Sequence, residues 1–522
     1  MVHHPMVHHP MVHHPMVHHP MVHHPMVHHP MVHHPRVVAG ESGETVMGNV
    51  LIILADEHSP RFMGCSGHPV VQTPNLDALA AAGVRFTNAY TPSPICVPAR
   101  ASFQTGRWVH RLGAWDSAHP YRGEVPGWAH AARDAGWTTT SVGKLHYGAV
   151  DQDHGFTEEI LPMHVVNGVG WVQGLDRRPS ARYPEAVEYA NDVGIGESTY
   201  VTYDRVISAA SVQWLADHGD DTAPWVLLVS FVSPHYPLTV PHQYWDRYES
   251  AASAGTLAAE IPPVDEIHPQ VQSVKDFFGY GNGFDVGPDS PTTEDGRRAY
   301  FGLCSFLDDQ VGAVLGALDA SGAADDTHVI FTSDHGDMAG NRGLWAKSHM
   351  FEDSVGIPMI MRGPGVPAGQ VSDTPVNLVD VHPTVLALTS GAADSEADGE
   401  SLLALASAAN DSRVTFSEYH DGGSTTGYFM VRSGPWKYVH YEGARPQLFD
   451  LSADPKELQD LGTNPAYETV RVEMDATLRS IVDPAAADRQ AFASQAALIE
   501  KLGGMDGLAN AFRFNHTPVP TS

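Results

Sequence analysis

The sequence predicts an α/β protein. A large, mostly parallel sheet sandwiched by helices should be followed by a smaller C-terminal antiparallel sheet with a packed helix. Three observations carry this expectation. Continuous apolar runs recur at 49–55, 225–231, 328–332 and 357–361, the pattern of strands buried on both faces. Stretches with helical spacing of apolar residues lie between them, at 75–82, 128–135, 206–216, 297–318 and 383–388. After about residue 410 the rhythm changes to short strands at 414–418, 428–432 and 436–441, then a helical stretch at 467–481. From Asp483 onward the chain reads as a helix plus an extended tail, a candidate for contacts between copies in a homo-oligomer. The expected organisation is therefore a repeat and linker over 1–46, the main domain over 47–409, and a C-terminal subdomain and tail over 410–522.

The N-terminal segment stands apart from this pattern. Residues 1–35 are seven perfect copies of Met-Val-His-His-Pro. Proline at every fifth position blocks both helix and central strand, so the segment is expected to be disordered or loosely extended. Its paired histidines could chelate a transition metal weakly, which makes a metal buffer one alternative role. Met47 stands just before the first strand as an alternative start.

The 522 residues include 30 basic and 61 acidic side chains, for a net charge of −31. That field repels polyanions, which excludes nucleic acid and anionic membrane as partners. A hydrophobic content of 42% suffices for a full core. The three cysteines, Cys65, Cys96 and Cys304, are too few for a disulfide framework and fit a reducing compartment. The sequence shows neither a run of 18 or so apolar residues nor a basic-then-apolar leader, so the expectation is a cytoplasmic protein.

Chemistry concentrates at strand ends. The first strand runs into Asp56-Glu57-His58, and another into Asp334-His335-Gly336. Carboxyl ends of parallel strands are where α/β sheets place their ligands, and Gly336 permits the tight turn that lets Asp334 and His335 face one point. Two or three carboxylates with one imidazole suit calcium, magnesium or manganese, with zinc as an alternative. A further segment reads Cys96-Val-Pro98-Ala-Arg100, followed by Thr105-Gly106-Arg107. Pro98 belongs in the first turn of a helix, with Cys96 just outside it. The N-terminus of that helix would face an anion, and Arg100 adds a cation one turn along.

With these residues the chain resembles the sulfatase family of the alkaline phosphatase superfamily, in particular its bacterial choline-sulfatase-like and arylsulfatase-like members. In that family Cys-x-Pro-x-Arg signals oxidation of the cysteine to formylglycine. The stretches 73–80 and 86–90 and the motif at 447–455 extend the resemblance from about Asn49 to about Leu461. It implies hydrolysis of sulfate esters to an alcohol and inorganic sulfate, after maturation by a formylglycine-generating enzyme. The expected partner is a small-molecule sulfate ester.

The same resemblance assigns residues one by one. Asp56, Asp334 and His335, with Cys96 in its modified form, would hold one divalent ion: calcium, with magnesium or manganese as alternatives. Glu57 stands where Asp or Gln is more frequent, and its longer side chain leaves direct contact with the ion open. Lys144 and His146 match Gly-Lys-x-His, whose lysine and histidine contact sulfate and the formylglycine. His235 in Ser-Pro-His-Tyr-Pro would lie near the leaving group, and Lys347 would be a second sulfate-binding lysine. One hydroxyl of the hydrated aldehyde attacks sulfur while Arg100, Lys144 and Lys347 stabilise the sulfate oxygens. His235 or Lys347 protonates the departing alcohol, and His146 takes a proton as sulfate leaves. Cys65 and Cys304 are expected to be structural. The segments 115–121 and 164–171 are candidate pocket loops whose aromatic and acidic groups could hold a quaternary ammonium. The alternatives are phosphonate monoester or phosphodiester hydrolysis at the same kind of site, and a non-catalytic binding protein on this scaffold.

Overall fold

In a computed structural model describing residues 48–183, 189–219, 221–263, 266–279, 291–407, 412–514 and 516–520, the first apolar run forms strand β1, Asn49–Asp56, with all eight residues buried. The repeat and linker expected over 1–46 lie outside the described residues. Side chains of a strand alternate between faces, and β1 divides its residues between two cores. Val50, Ile52 and Leu54 enter one, with Phe103, Trp128 and Val385. Leu51, Ile53 and Ala55 enter the other, with Ile207, Leu307 and Val311. A strand covered by helices on both faces has no polar side to show, which explains its unbroken apolar run. Leu51→Ala is accordingly expected to cost about 2–5 kcal/mol of folding stability, measured by urea denaturation.

The other strands of this sheet are β2 (Val84–Phe86), β3 (Thr138–Lys144), β4 (Glu158–Met163), β5 (Trp225–Pro234), β6 (Thr327–Ser333), β7 (Met359–Arg362) and β8 (Gln370–Ser372). Their order is β8-β2-β7-β6-β1-β5-β3-β4. All run parallel except β7, which is antiparallel to both β6 and β2. The run at 357–361 was expected to behave like the other parallel strands. It is instead reversed, because an apolar run reports burial and not direction. Strands β2, β3, β4 and β8 carry no such run. β3 reads Thr-Thr-Thr-Ser-Val-Gly-Lys, yet it lies between β5 and β4. Its hydroxyls are partly paired internally: Thr139 Oγ1 donates to the Gly155 carbonyl at 3.0 Å.

The expected helices form, and three of them are longer than expected: Thr199–His218, Thr293–Ala320 and Val381–Thr389. The second of these, Thr293–Ala320, is long and apolar enough, by length and composition, to cross a membrane. Here it is a core helix: its Asp308 is buried and accepts hydrogen bonds from the backbone of Asn75 and Leu76. A C-terminal sheet follows, in the order β9 (Val414–Tyr419), β10 (Tyr428–Ser433), β11 (Trp436–Tyr441) and β12 (Gln447–Asp450), antiparallel throughout. Phe416, Phe429 and Leu448 of this sheet share a core with Trp108 and Trp115 of the main body and with Leu478 of the helix Glu468–Ile481.

Candidate active site

Four neighbouring parallel strands, β6, β1, β5 and β3, end side by side, and each delivers functional groups at its carboxyl end. β6 leads into Asp334 and His335, β1 into Asp56 and Glu57, β5 into His235, and β3 into Lys144 and His146. The helix Cys96–Thr105 aims its N-terminus at the same point, with Ile95 as its extended cap residue. Cys96 was expected just outside this helix but is its first residue, a one-residue difference that leaves the thiol at the positive end.

The groups converge tightly. Ligand atoms of Asp56, Cys96, Asp334 and His335 lie within 4.8 Å of one another, and those of Asp56, Glu57 and His235 form a second such group. Cys96 Sγ is 3.2 Å from Lys347 Nζ and 3.3 Å from His335 Nε2. Lys144 Nζ is 2.5 Å from Asp56 Oδ2. Glu57 Oε2 is 3.2 Å from Lys347 Nζ and 3.3 Å from His235 Nε2. Its other oxygen is buried with no hydrogen-bond partner among the described residues. A buried, oxygen-rich donor set with one unused carboxylate oxygen fits a hard divalent cation.

Arg100 was expected to face the sulfate. Its position corrects that: it lies behind the carboxylates and is 1% exposed. It donates to Asp334 Oδ2 at 2.8 Å, Asp56 Oδ2 at 3.1 Å, the Lys144 carbonyl at 2.8 Å and Ser230 Oγ at 3.0 Å. It is a positioning residue that holds two acids and the end of β3 in register.

Burial and neighbouring charge set the protonation states. Burial, reinforced by Asp56, pushes the Cys96 thiol up to about 11. Burial also opposes charge on Asp56, but Lys144, His235, Lys347 and Arg100 hold its carboxyl well below its usual value. Burial and Lys144 push His146 well below its usual value, and burial and Lys347 do the same to His235. Burial opposes the ammonium of Lys347 too, yet Cys96, Glu57 and Asp56 hold it well above its usual value. Both ring nitrogens of His146 lack a hydrogen-bond partner among the described residues, and the ring faces the pocket.

The site stores backbone strain. Glu57, His146, Ala346 and Ser348 adopt left-handed conformations with φ of 68°, 56°, 56° and 75°. For non-glycine residues this costs about 1–3 kcal/mol each and collects at functional sites. Tyr300 clamps the Glu57 turn by donating its hydroxyl to the Glu57 carbonyl at 2.7 Å. Asp204 accepts from the backbone of Val232 and Ser233 at 2.8 and 2.7 Å, which fixes the end of β5 before His235. Neither residue sits in a motif, so nothing in the sequence singled them out.

A pocket of about 740 Å³, including its open mouth, leads from Cys96 to solvent. Its walls include Trp171, Tyr183, Tyr189, Tyr200, Tyr236 and Phe278, and among the described residues none that lines it is Asp or Glu. Trp171 stacks on Phe278 at 5.9 Å. The 164–171 segment lines this pocket through Val165, Gly170 and Trp171, whereas the 115–121 segment contributes only Ser117. Trp115 packs into the C-terminal core and against His420. Asp116 is bonded to His119 and Gln495. The tail, expected to serve contacts between copies, lies against the pocket of its own chain. Phe514, His516 and Thr517 line it, the Tyr183 hydroxyl donates to the Phe514 carbonyl, and the Tyr200 hydroxyl to that of Thr517, each at 2.8 Å.

The sulfatase family model matches residues 48–392, most of the chain. The chain belongs to the sulfatase family. A second model, that of the N-sulphoglucosamine sulphohydrolase C-terminal region, matches 340–483. This sulfatase is 36% identical to the choline-sulfatase of Rhizobium meliloti (strain 1021) over 460 residues, covering 85% of this chain and 88% of that one. It is 30% identical to arylsulfatase K of Danio rerio, covering 83% and 84%. Among solved structures, the phosphonate monoester hydrolase of Agrobacterium radiobacter superposes with a TM-score of 0.64 at 25% identity, covering 83% of this chain and 95% of that one. A protein solved with its substrate D-glucosamine-2-N,6-O-disulfate gives 0.66 at 21% identity, covering 85% and 98%, and speaks for the fold. The protein is a sulfuric ester hydrolase.

Proposed function

We propose that this sulfatase hydrolyses the sulfate ester of a small quaternary ammonium alcohol of the choline type, using Cys96 oxidised to formylglycine and one divalent cation, calcium before magnesium or manganese. The observation that carries the substrate class is the pocket opening onto Cys96, aromatic and without a carboxylate among the described residues that line it. Aromatic faces attract a desolvated quaternary cation by about 2 kcal/mol. A zwitterionic ester also escapes the repulsion that a net charge of −31 imposes on polysulfated chains. The choline-sulfatase relative supports the same reading.

Asp56, Asp334, His335 and Glu57 are the residues that would hold the cation. When bound, it supplies Lewis-acid polarisation of the sulfate oxygens and a charge that favours the deprotonated nucleophile. Oxidised to formylglycine and hydrated, residue 96 would supply one hydroxyl as the nucleophile and a second with which to release sulfate. Lys144 and Lys347 face the sulfate oxygens as cations. Lys347 also protonates the departing alkoxide. His235 is held neutral by burial and Lys347, so it orients the leaving group by donating or accepting a single hydrogen bond. His146, neutral and without a hydrogen-bond partner among the described residues, accepts the proton lost as sulfate leaves. The three cysteines are free, which supports a reducing compartment such as the cytoplasm.

The test compares kcat/KM for choline sulfate, an aryl sulfate and a phosphonate monoester, in wild type and Trp171→Ala. Choline sulfate should be the best substrate, and the variant should raise its KM about 10- to 30-fold with a smaller change for the aryl ester. Equal effects on both sulfates would remove the quaternary ammonium from the account. A preference for the phosphonate would replace the substrate class.

A further inference from the structure

Among the described residues, one cluster of metal-ligating side chains lies outside the active site. His154, Glu159 and His164 each offer a ligand atom within 4.8 Å of the others. His154 Nδ1 is 2.9 Å from Glu159 Oε1, and His164 Nε2 is 2.9 Å from Glu159 Oε2. The two imidazoles therefore flank one carboxylate, with ring centroids 5.1 Å apart. The His154 side chain is fully buried, Glu159 is 15% exposed and His164 10%, so the cluster is built from the inside and reachable from one side.

We propose that these three residues form a second metal site, selective for zinc-like ions. Two imidazole nitrogens and one carboxylate oxygen make a donor set suited to zinc or cobalt and poorer in oxygen than calcium or magnesium require. A fourth position faces the exposed side and would take water. The ligands are held before any ion arrives. The Gln104 amide donates to the His154 carbonyl at 3.1 Å, and the His154 ring packs against Tyr147 at 5.2 Å. Glu159 lies within β4. Burial works against the charge on Glu159, but hydrogen bonds from the two histidines hold its carboxyl below the usual value, so it is an anion ready for a cation. On binding, each imidazole turns the lone pair of its facing nitrogen to the ion. Its proton moves to the far nitrogen, which has no hydrogen-bond partner among the described residues in either ring.

The position gives such an ion a consequence. The Met163 carbonyl, between Glu159 and His164, accepts from the backbone of Leu145 and His146 at 3.1 and 2.8 Å. His164 then opens the segment whose Val165, Gly170 and Trp171 line the pocket. A metal clamp at this point pins the start of a pocket wall and the backbone of His146 together.

The test uses the full chain with its active-site ion bound. Zinc equivalents are counted after dialysis against zinc chloride, and thermal stability is recorded with and without zinc, for wild type, Glu159→Gln and His164→Asn. The N-terminal histidines bind equally in all three, so they cancel in the difference. Wild type should hold one more equivalent than either variant and show a zinc-dependent rise in Tm that both variants lose. Equal stoichiometry and equal Tm response would overturn the proposal. If neither variant folds, hydrogen exchange on wild type decides. Zinc should slow exchange across residues 154–165, and unchanged protection there would overturn the site.

Discussion

Replacing Cys96 with serine is expected to reduce multiple turnover by about 10⁴- to 10⁶-fold while leaving the fold intact. The substitution exchanges SH for OH in a site that is 7% exposed, so packing barely changes. What changes is the number of hydroxyls. A serine offers one, which can accept the sulfuryl group but has no partner to expel it. The expected signature is a burst of one equivalent of alcohol, with the sulfuryl group retained on residue 96 in the peptide mass. Steady turnover near the wild-type rate would sink the formylglycine account. The unmodified thiol gives a parallel test. A thiol cannot hydrate to a diol, so it has no second hydroxyl with which to expel sulfate, and burial disfavours its thiolate form. Enzyme made without the maturation step should therefore be inactive, and the mass of residue 96 should track activity across preparations.

Asp334→Asn is expected to lower kcat/KM by about 10³-fold or more and to cost about 3–5 kcal/mol of stability. One carboxylate carries three duties. Its Oδ2 accepts from Arg100 at 2.8 Å, and its Oδ1 accepts from the backbone of Glu57 at 3.2 Å and of His335 at 3.0 Å. The amide removes a negative charge from the cation site. It also leaves the buried guanidinium of Arg100 with Asp56 as its one remaining anion. Metal content, steady-state kinetics and urea denaturation should all register the change. A variant with full metal content and wild-type stability would mean that Asp334 is neither a ligand nor the anchor of Arg100.

The chemistry of this protein was legible in its sequence wherever a residue's role is enforced locally. Strand β1 announces itself because a strand covered on both faces has no polar positions to interrupt the apolar run. Asp56, Asp334 and His335 were legible because they follow such strands directly, and Cys96 and Arg100 because they match the family's Cys-x-Pro-x-Arg motif, in which Pro98 also marks a helix start. Lys144, His146, His235 and Lys347 were legible only as matches to family motifs, since a lone lysine or histidine has no pattern of its own.

Tertiary structure decided the rest. β3 was invisible because its run of threonines and a serine carries no apolar pattern, and Thr139 finds its hydroxyl partner, the Gly155 carbonyl, in a segment outside the strand; β7 runs backwards because burial leaves no trace of direction. Arg100 turned from the sulfate to the acids because four acceptors delivered by four different strands surround it, a fact that no local spacing contains. The pocket gathers Trp171, Tyr200, Tyr236 and the tail residues Phe514 and Thr517 from more than 300 residues of chain. Aromatic side chains so far apart carry no shared period. The sequence by itself determined which candidate groups the fold brings to one point, because ligand and charge types reside in residue types and short spacings. The shape of the substrate's chamber was left to the fold, because a cavity wall is made by contacts between segments that the chain order keeps apart.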